Sequence, residues 1–274
     1  MLSSELERFI NEDLGEWDDS STIVPNVEIS ATVIAEENCV IAGLFEACQI
    51  LRYMDLEAEP LYNDGDCVSP GESVLSIKGN ARLILQMERL VLNFLARMSG
   101  ISTLTREFMN RLESISCNVR IACTRKTTPG FRLYEKKAVF LGGGDPHRFN
   151  LSGAVLIKDN HIKILGIAEC LRRAKLQASF TKKIEVEVES YDQMLIAAEL
   201  GADIIMFDNM KPSEIKRAIE VLIEEGIRKR LILEASGGIN LENVMDYAAT
   251  GVDVISLGFL TKNARWIDLK MEIE

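Results

Sequence analysis

The stretch KIEVEVESYDQMLIAAELGADIIMFDN (183–209) reads as strand, helix and strand in one pass. Its first part, KIEVEVES (183–190), alternates Ile and Val with Glu, the period of two that marks an extended chain. The middle, YDQMLIAAELG (191–201), is an amphipathic segment closed by glycine, and ADIIMFDN (202–209) is a short apolar run ending in two polar residues. The same texture recurs in VRIACTRK (119–126), GAVLIKDNH (153–161), RLILEASGG (230–238) and VDVISLG (252–258). Helix-like stretches such as PSEIKRAIEVLIEEG (212–226) and LENVMDYAATG (241–251) lie between several of them. This alternation predicts a parallel sheet with helical crossovers. Six strands are visible, and the glycines Gly142, Gly143 and Gly144 can supply or interrupt another. The expected fold is α/β, an incomplete (β/α) barrel of TIM-like kind, with an open doubly wound sheet as the alternative.

The first part of the chain has a different pattern. Residues 5–13 suggest a short helix with Leu6, Phe9 and Ile10 on one side, and VEISATVIAEENCVIAG (27–43) a first strand region. LFEACQILRYM (44–54) is read as helical. PLYNDGDCVSPGESVLSIKGN (60–80) has turn dipeptides between short apolar runs, which fits antiparallel strands. ARLILQMERLVLNFLARMSGISTLTREFMNRL (81–112) has apolar residues at spacings of three and four, with Gly100 as the expected break between two helices. The domain boundary is placed between Leu112 and Val119, giving domains 1–112 and 113–261. The tail RWIDLKMEIE (265–274) can return to the first domain as a strand, so that 262–274 completes it.

In a parallel β/α fold the C-terminal ends of the strands share one face, where barrel active sites sit. The ends of the runs place Arg125, Lys126, Lys158, Glu187, Glu189, Asp208, Asn209, Ser236 and Gly258 there. Such a site has a basic half and an acidic half. Arg120 to Lys163 holds nine Lys and Arg against three acids, and both histidines, in a chain of net charge -11. The expected ligand is small and strongly anionic. Arginine grips a carboxylate or phosphate with two parallel bonds, and lysine adds a point charge. Arg125 and Lys126 precede Pro129-Gly130, so the pair should sit where a strand ends and turns. A triple glycine before His147 and Arg148 permits close backbone approach. Lys158 follows the run AVLI, while His161 can orient either a ligand or a loop.

Glu187 and Asp208 end neighbouring predicted strands beside this cationic group. Two carboxylates there suit Mg²⁺, a hard cation that joins carboxylates to substrate phosphates. Pairing of the acids with Lys126 or Lys158 is the other reading. Ser236-Gly237-Gly238 and Gly258 close two late strands, and the exposed amides of such loops, with a helix N-terminus, suit a phosphate. Arg89, inside a largely apolar helical run, calls for an anion, an acid such as Glu88 or Asp13, or a subunit interface. Asp13, Asp18 and Asp19 suit helix capping or solvated surface.

The 274 residues are 47% hydrophobic, enough for a large core. No run of 18 apolar residues predicts a transmembrane helix, and the N-terminus is acidic, unlike a signal peptide. The six cysteines are widely spaced and form no CxxC, which suits free thiols in a cytoplasmic chain. The acidic balance argues against nucleic-acid and anionic-membrane partners.

Several segments together resemble the quinolinate phosphoribosyltransferase family: GDCVSPGESVLSIKGNAR (65–82), ERLVLNFLARMSGIST (88–103), TRKTTPGFRLYEKKAVFLGGG (124–144), HRFNLSGAVLIKDNHI (147–162), MFDN (206–209), SGGIN (236–240) and LGFLT (257–261). The resemblance implies an N-terminal α/β sandwich and an incomplete α/β barrel, the type II phosphoribosyltransferase fold. It implies conversion of quinolinate and phosphoribosyl pyrophosphate to nicotinate mononucleotide, pyrophosphate and CO₂, a de novo NAD-forming step. It implies that Arg125, Lys126, His147, Arg148 and Lys158 surround the quinolinate carboxylates, that Glu187 and Asp208 hold Mg²⁺ and the ribose–pyrophosphate end, and that Ser236, Gly237, Gly238 and Gly258 seat the 5′-phosphate. Arg89 would reach in from the partner of a homodimer with shared sites, and further assembly to a hexamer is open. Trp17 and Lys262 depart from the family's usual Gly and His. The alternatives are a molybdate-transport-associated protein of the same fold, which typically loses the pattern kept here in Lys158–His161, and a non-catalytic anion-binding subunit.

Overall fold

A computed structural model describes every residue except 17 and 115–117, and among the described residues it has twelve strands, ten α-helices and two 3-10 turns. The Trp17 departure and Cys117 lie outside the described residues. The chain forms two compact units, Met1–Arg106 with Gly130–Gly143 and Asn263–Glu274, and Glu107–Pro129 with Gly144–Lys262. The first unit thus takes in Gly130–Gly143, a segment that the sequence boundary assigned to the barrel.

In the first unit, α1 (Ser3–Leu14) leads to β1 (Glu28–Ala35), β2 (Cys39–Val40), α2 (Leu44–Tyr53), β3 (Glu57–Pro60), β4 (Cys67–Val68) and β5 (Ser73–Asn80). The tail returns as β12 (Leu269–Ile273), and the antiparallel sheet has the order β12-β1-β5-β3. β2 and β4 pair separately. The alternation in β1 buries Ala31, Val33 and Ala35 on one face. α1 buries Leu6 and Ile10, and Phe9 meets Phe94 edge to face at 5.0 Å. Such aromatic pairs add about 1 kcal/mol beyond the area they bury.

Gly100 does not break a helix. α3 (Ala81–Glu113) runs unbroken for 33 residues. A Cβ at Gly100 would lie 1.8 Å from the Arg265 carbonyl oxygen, so the glycine admits the returning tail against the helix. After the turn at Pro129-Gly130 the chain forms α4 (Arg132–Leu141). Its Glu135 is fully buried and accepts from Arg97 at 2.6 Å, while Lys137 donates to Glu46 and Asp64 at 2.8 and 3.2 Å. Part of the basic excess seen in the sequence is therefore spent on pairs inside the first unit.

The second unit contains β6 (Arg120–Cys123), β7 (Val155–Ile157), α5 (Asp159–Leu165), α6 (Ile167–Gln177), β8 (Ile184–Val188), α7 (Tyr191–Glu199), β9 (Ile204–Asp208), α8 (Pro212–Glu224), β10 (Ile232–Ser236), α9 (Val244–Ala248), β11 (Val254–Leu257) and α10 (Phe259–Lys262). The six strands are parallel in the order β6-β11-β10-β9-β8-β7. The first strand lies beside the last, as in a barrel, and β6 and β7 do not pair, so the barrel is open there. The triple glycine leads to one isolated bridge, Asp145 to Ala122, and not to a full strand.

Residues 183–209 decide this arrangement. Val186, Val188, Ile205 and Phe207 are fully buried, as are Met194, Ala197 and Ala198 of α7. Burying each large side chain contributes roughly 1.5–3 kcal/mol. Ser190 caps α7 by accepting the Gln193 amide, and Pro212 occupies the first turn of α8. The opposite parity, Glu185, Glu187, Met206 and Asp208, is left for the barrel interior and its mouth.

Candidate functional site

Every strand of the open barrel ends at one mouth, where a cavity of about 480 Å³ opens. Its lining includes Arg125, Lys126, His147, Arg148, Lys158, Glu187, Asp208 and Ser236. With Glu189, nine of the sequence-predicted residues, from six separate segments, are thus brought together within the second unit.

Each cation is aimed by local structure. β6 ends at Cys123, and the chain then turns: the Lys126 amide donates to Thr124 Oγ1 at 3.1 Å and the Thr127 amide to the Arg125 carbonyl at 3.0 Å. Thr261 Oγ1 donates to the Lys126 carbonyl at 2.6 Å. The Arg125 Nε is buried without a protein acceptor. A buried donor left unmet costs about 1–3 kcal/mol, which marks this guanidinium as set for an anion.

His147 has φ 53°, in the left-handed region that non-glycine residues avoid. Its amide donates to Asp145 Oδ1 at 2.7 Å, which fixes that turn. Arg148 donates to the Ala154 carbonyl at 3.3 Å. Burial pushes the Arg148 guanidinium down from its ordinary value, opposed by the charge of Glu185 among others. Lys158 donates to Glu187 Oε1 at 2.6 Å. With Lys158 45% and Glu187 12% exposed, this pair faces the cavity rather than solid protein. His161 accepts the Lys158 amide through Nδ1 at 2.9 Å, so it orients the start of α5.

On the acidic side, Asp208 ends β9 and accepts from Asn209 Nδ2 at 2.9 Å. Asn209 itself sits at φ 55°, and its amide donates to the Ser236 carbonyl at 2.9 Å. Gly237 follows at φ 96°, and a Cβ there would lie 2.3 Å from Asn209 Oδ1. Only glycine fits that position. Gly238 faces open space at φ 64°, and a Cβ on Gly258 would press on Lys126 at 3.0 Å. The helix expected to open directly at SGGIN starts later, because Asn240 and Asn243 first close a turn: the Asn240 amide donates to Asn243 Oδ1 at 2.8 Å. Gly258 does lead straight into α10.

Arg89 belongs to the first unit, on α3; it is 66% exposed, with Glu88 4.0 Å away, and is not among the cavity's lining residues. Sequence reasoning missed Glu185 and Glu234. Both are buried, and both sit two residues before a predicted site residue, Glu187 and Ser236, on the same strand face. That shared parity is the signal which would have found them. Burial, and then the Glu234 charge, push the Glu185 carboxyl well above the usual carboxylate range.

The six parallel strands and the polar cavity at their C-terminal ends define the class of fold, an open α/β barrel. Residues 18–99 match the quinolinate phosphoribosyl transferase N-terminal domain and residues 101–272 its C-terminal domain. A probable nicotinate-nucleotide pyrophosphorylase [carboxylating] of Methanothermobacter thermautotrophicus is 45% identical, covering 98% of this chain and 97% of that one. A protein with the same description from Bacillus subtilis is 38% identical over 99% of this chain and 93% of its own. The crystal structure of nicotinate-nucleotide pyrophosphorylase from Ehrlichia chaffeensis superposes with a TM-score of 0.92 at 33% identity, covering 100% of this chain and 99% of that one. The chain belongs to the quinolinate phosphoribosyltransferase family.

Proposed function

We propose that this protein is a carboxylating nicotinate-nucleotide pyrophosphorylase, which converts quinolinate and phosphoribosyl pyrophosphate to nicotinate mononucleotide, CO₂ and pyrophosphate in de novo NAD synthesis. The observation that carries this reading is one cavity holding five cationic or imidazole side chains opposite Glu187 and Asp208, in a chain of this family. A dicarboxylate needs more positive charge around the ring than a monocarboxylate does. Arg125, Lys126, His147, Arg148 and Lys158 supply it.

Hard carboxylate oxygens at Glu187 and Asp208 fit Mg²⁺, and each carboxylate has only one oxygen engaged in the bonds described above. Bound there with the substrate, the ion would neutralise charge on the departing pyrophosphate. The chain's own residues do the rest. Ser236, Gly237, Gly238 and Gly258 seat the 5′-phosphate and fix C1 of the ribose. Arg125 and Arg148 hold the pyridine ring so that its nitrogen faces C1. The nitrogen's lone pair forms the bond to C1 as the C1–oxygen bond to pyrophosphate breaks. The ring nitrogen is then positive and stabilises the electron pair left on the adjacent carbon when its carboxylate departs as CO₂. That carbon takes a proton to give nicotinate mononucleotide. Catalysis rests on orientation and fixed charge, with no covalent protein intermediate.

Arg89, exposed on α3, completes the site of a neighbouring subunit in a homodimer, which can assemble further to a hexamer. Among the described residues no helix is long and apolar enough to cross a membrane, and we assign the enzyme to the cytoplasm. The test is release of CO₂ and nicotinate mononucleotide from the two substrates, with and without Mg²⁺. Equimolar, metal-dependent products are expected. Turnover of nicotinate without CO₂ would refute the assignment, and binding without turnover would favour an anion-binding subunit.

A further inference from the structure

Beneath the cations of the mouth lies a layer that the reaction scheme above does not use. Glu185 of β8 and Glu234 of β10 are 0% and 2% exposed. Both oxygens of Glu185, and Oε1 of Glu234, have no hydrogen-bond donor. The remaining oxygen, Glu234 Oε2, lies 3.3 Å from His147 Nε2, and Glu185 Oε2 lies 3.9 Å from the same nitrogen. Glu185 and Glu234 also rank among the charges that act on Arg148. Two carboxylates so far from water are costly unless cations face them. The facing cations are His147 and Arg148, consecutive residues that also line the cavity at the mouth. A second cavity of about 500 Å³ opens at the other end of the strands, lined by Arg120, Ile204, Ile232 and Val254, and His147 and Glu234 line it as well. The layer therefore divides the barrel interior in two.

We propose that Glu234 is a positioning residue: its contact with His147 Nε2 holds His147, and with it the adjoining Arg148, aimed at the ring carboxylates. Three constraints then converge on His147: the Glu234 contact, the Asp145 hydrogen bond and the left-handed backbone. Glu234 also lines the floor of the site, so an anion entering from the mouth meets a carboxylate below the two cations. Dicarboxylate binding should depend on the Glu234–His147 contact, and phosphoribosyl pyrophosphate binding should not. His147, Glu185 and Glu234 could alternatively ligate a divalent ion. The Arg148 guanidinium, on which both carboxylates act, argues for the positioning role, because it already supplies positive charge near them.

The inference rests on the proposed quinolinate reading, so quinolinate binding is measured by calorimetry apart from CO₂ release. Failure of the wild type to release CO₂ would count against that reading, while binding still tests the inference. In the full-length protein, Glu234→Gln should raise the dissociation constant and KM for quinolinate at least 10-fold. KM for phosphoribosyl pyrophosphate should stay within twofold, and the melting temperature should not fall. Glu234→Asp, which restores the charge, should recover most of the loss and serves if Glu234→Gln does not fold. In a His147→Ala background, Glu234→Gln should cost less than threefold more. Equal losses in both backgrounds would overturn the proposal, as would a fall in melting temperature with quinolinate binding unchanged. A stoichiometric divalent ion in the wild type that is absent from Glu234→Gln would replace it with a metal site.

Discussion

Gly100→Ala should destabilise the first unit, although the same change in an ordinary helix interior stabilises it. The new Cβ would lie 1.8 Å from the Arg265 carbonyl oxygen and 3.0 Å from its carbonyl carbon. An ordinary carbon–oxygen contact is about 3.3 Å, so the tail must retreat by roughly 1.5 Å on that scale. One turn earlier, the Ile267 amide donates to the Ala96 carbonyl at 3.1 Å, and that bond lies in the path of the retreat. Overpacking costs about 1–3 kcal/mol, and a lost hydrogen bond about 1 kcal/mol. Against these stands the helix-propensity gain of about 1 kcal/mol for replacing glycine by alanine. The net loss is about 2 kcal/mol, which lowers the melting temperature by roughly 4–8 °C in a protein of this size. Thermal unfolding followed by circular dichroism measures it. A melting temperature at or above that of the wild type would refute the reasoning, because it would mean that propensity outweighs contact and that the tail does not press on α3.

Arg125→Lys keeps the charge but loses the planar fork; KM for quinolinate should rise about 10–100-fold with kcat changed less, read from initial rates. Asp208→Asn should raise the Mg²⁺ concentration needed for half-maximal rate and KM for phosphoribosyl pyrophosphate together, with quinolinate binding kept; an unchanged Mg²⁺ titration would refute its assigned role. Mixing the inactive variants Arg89→Ala and Lys158→Ala should restore up to about a quarter of wild-type activity, since random pairing leaves that share of sites intact in a two-fold dimer; no recovery after verified subunit exchange would remove Arg89 from the shared site. Burial pushes the Cys39 thiol up to about 11, so its thiolate is scarce at pH 8, while Cys67 is exposed. An aromatic disulfide reagent at pH 8 should therefore modify Cys67 well before Cys39, and Cys67→Ser should remove one fast equivalent.

The sequence alone determined the β–α alternation, the two electrostatic halves of the mouth and the residues at the strand ends. These are local facts: a period of two in KIEVEVES, a period near 3.6 in the segment after it, and polar residues where apolar runs stop. Family resemblance added the chemistry. What the sequence did not determine came from contacts between distant segments. Gly100 looks like a helix break until Arg265, far along the chain, is packed against it. The basic cluster looks like one patch until Lys137 turns to Glu46 and Asp64 while Arg125 and Arg148 turn to the cavity. Glu185 and Glu234 share the parity of Glu187 and Ser236, but the sequence does not show that water is excluded from that face. Only when the sheet curls, with its first strand beside its last, does that face become an interior in which a carboxylate must find a cation instead of water.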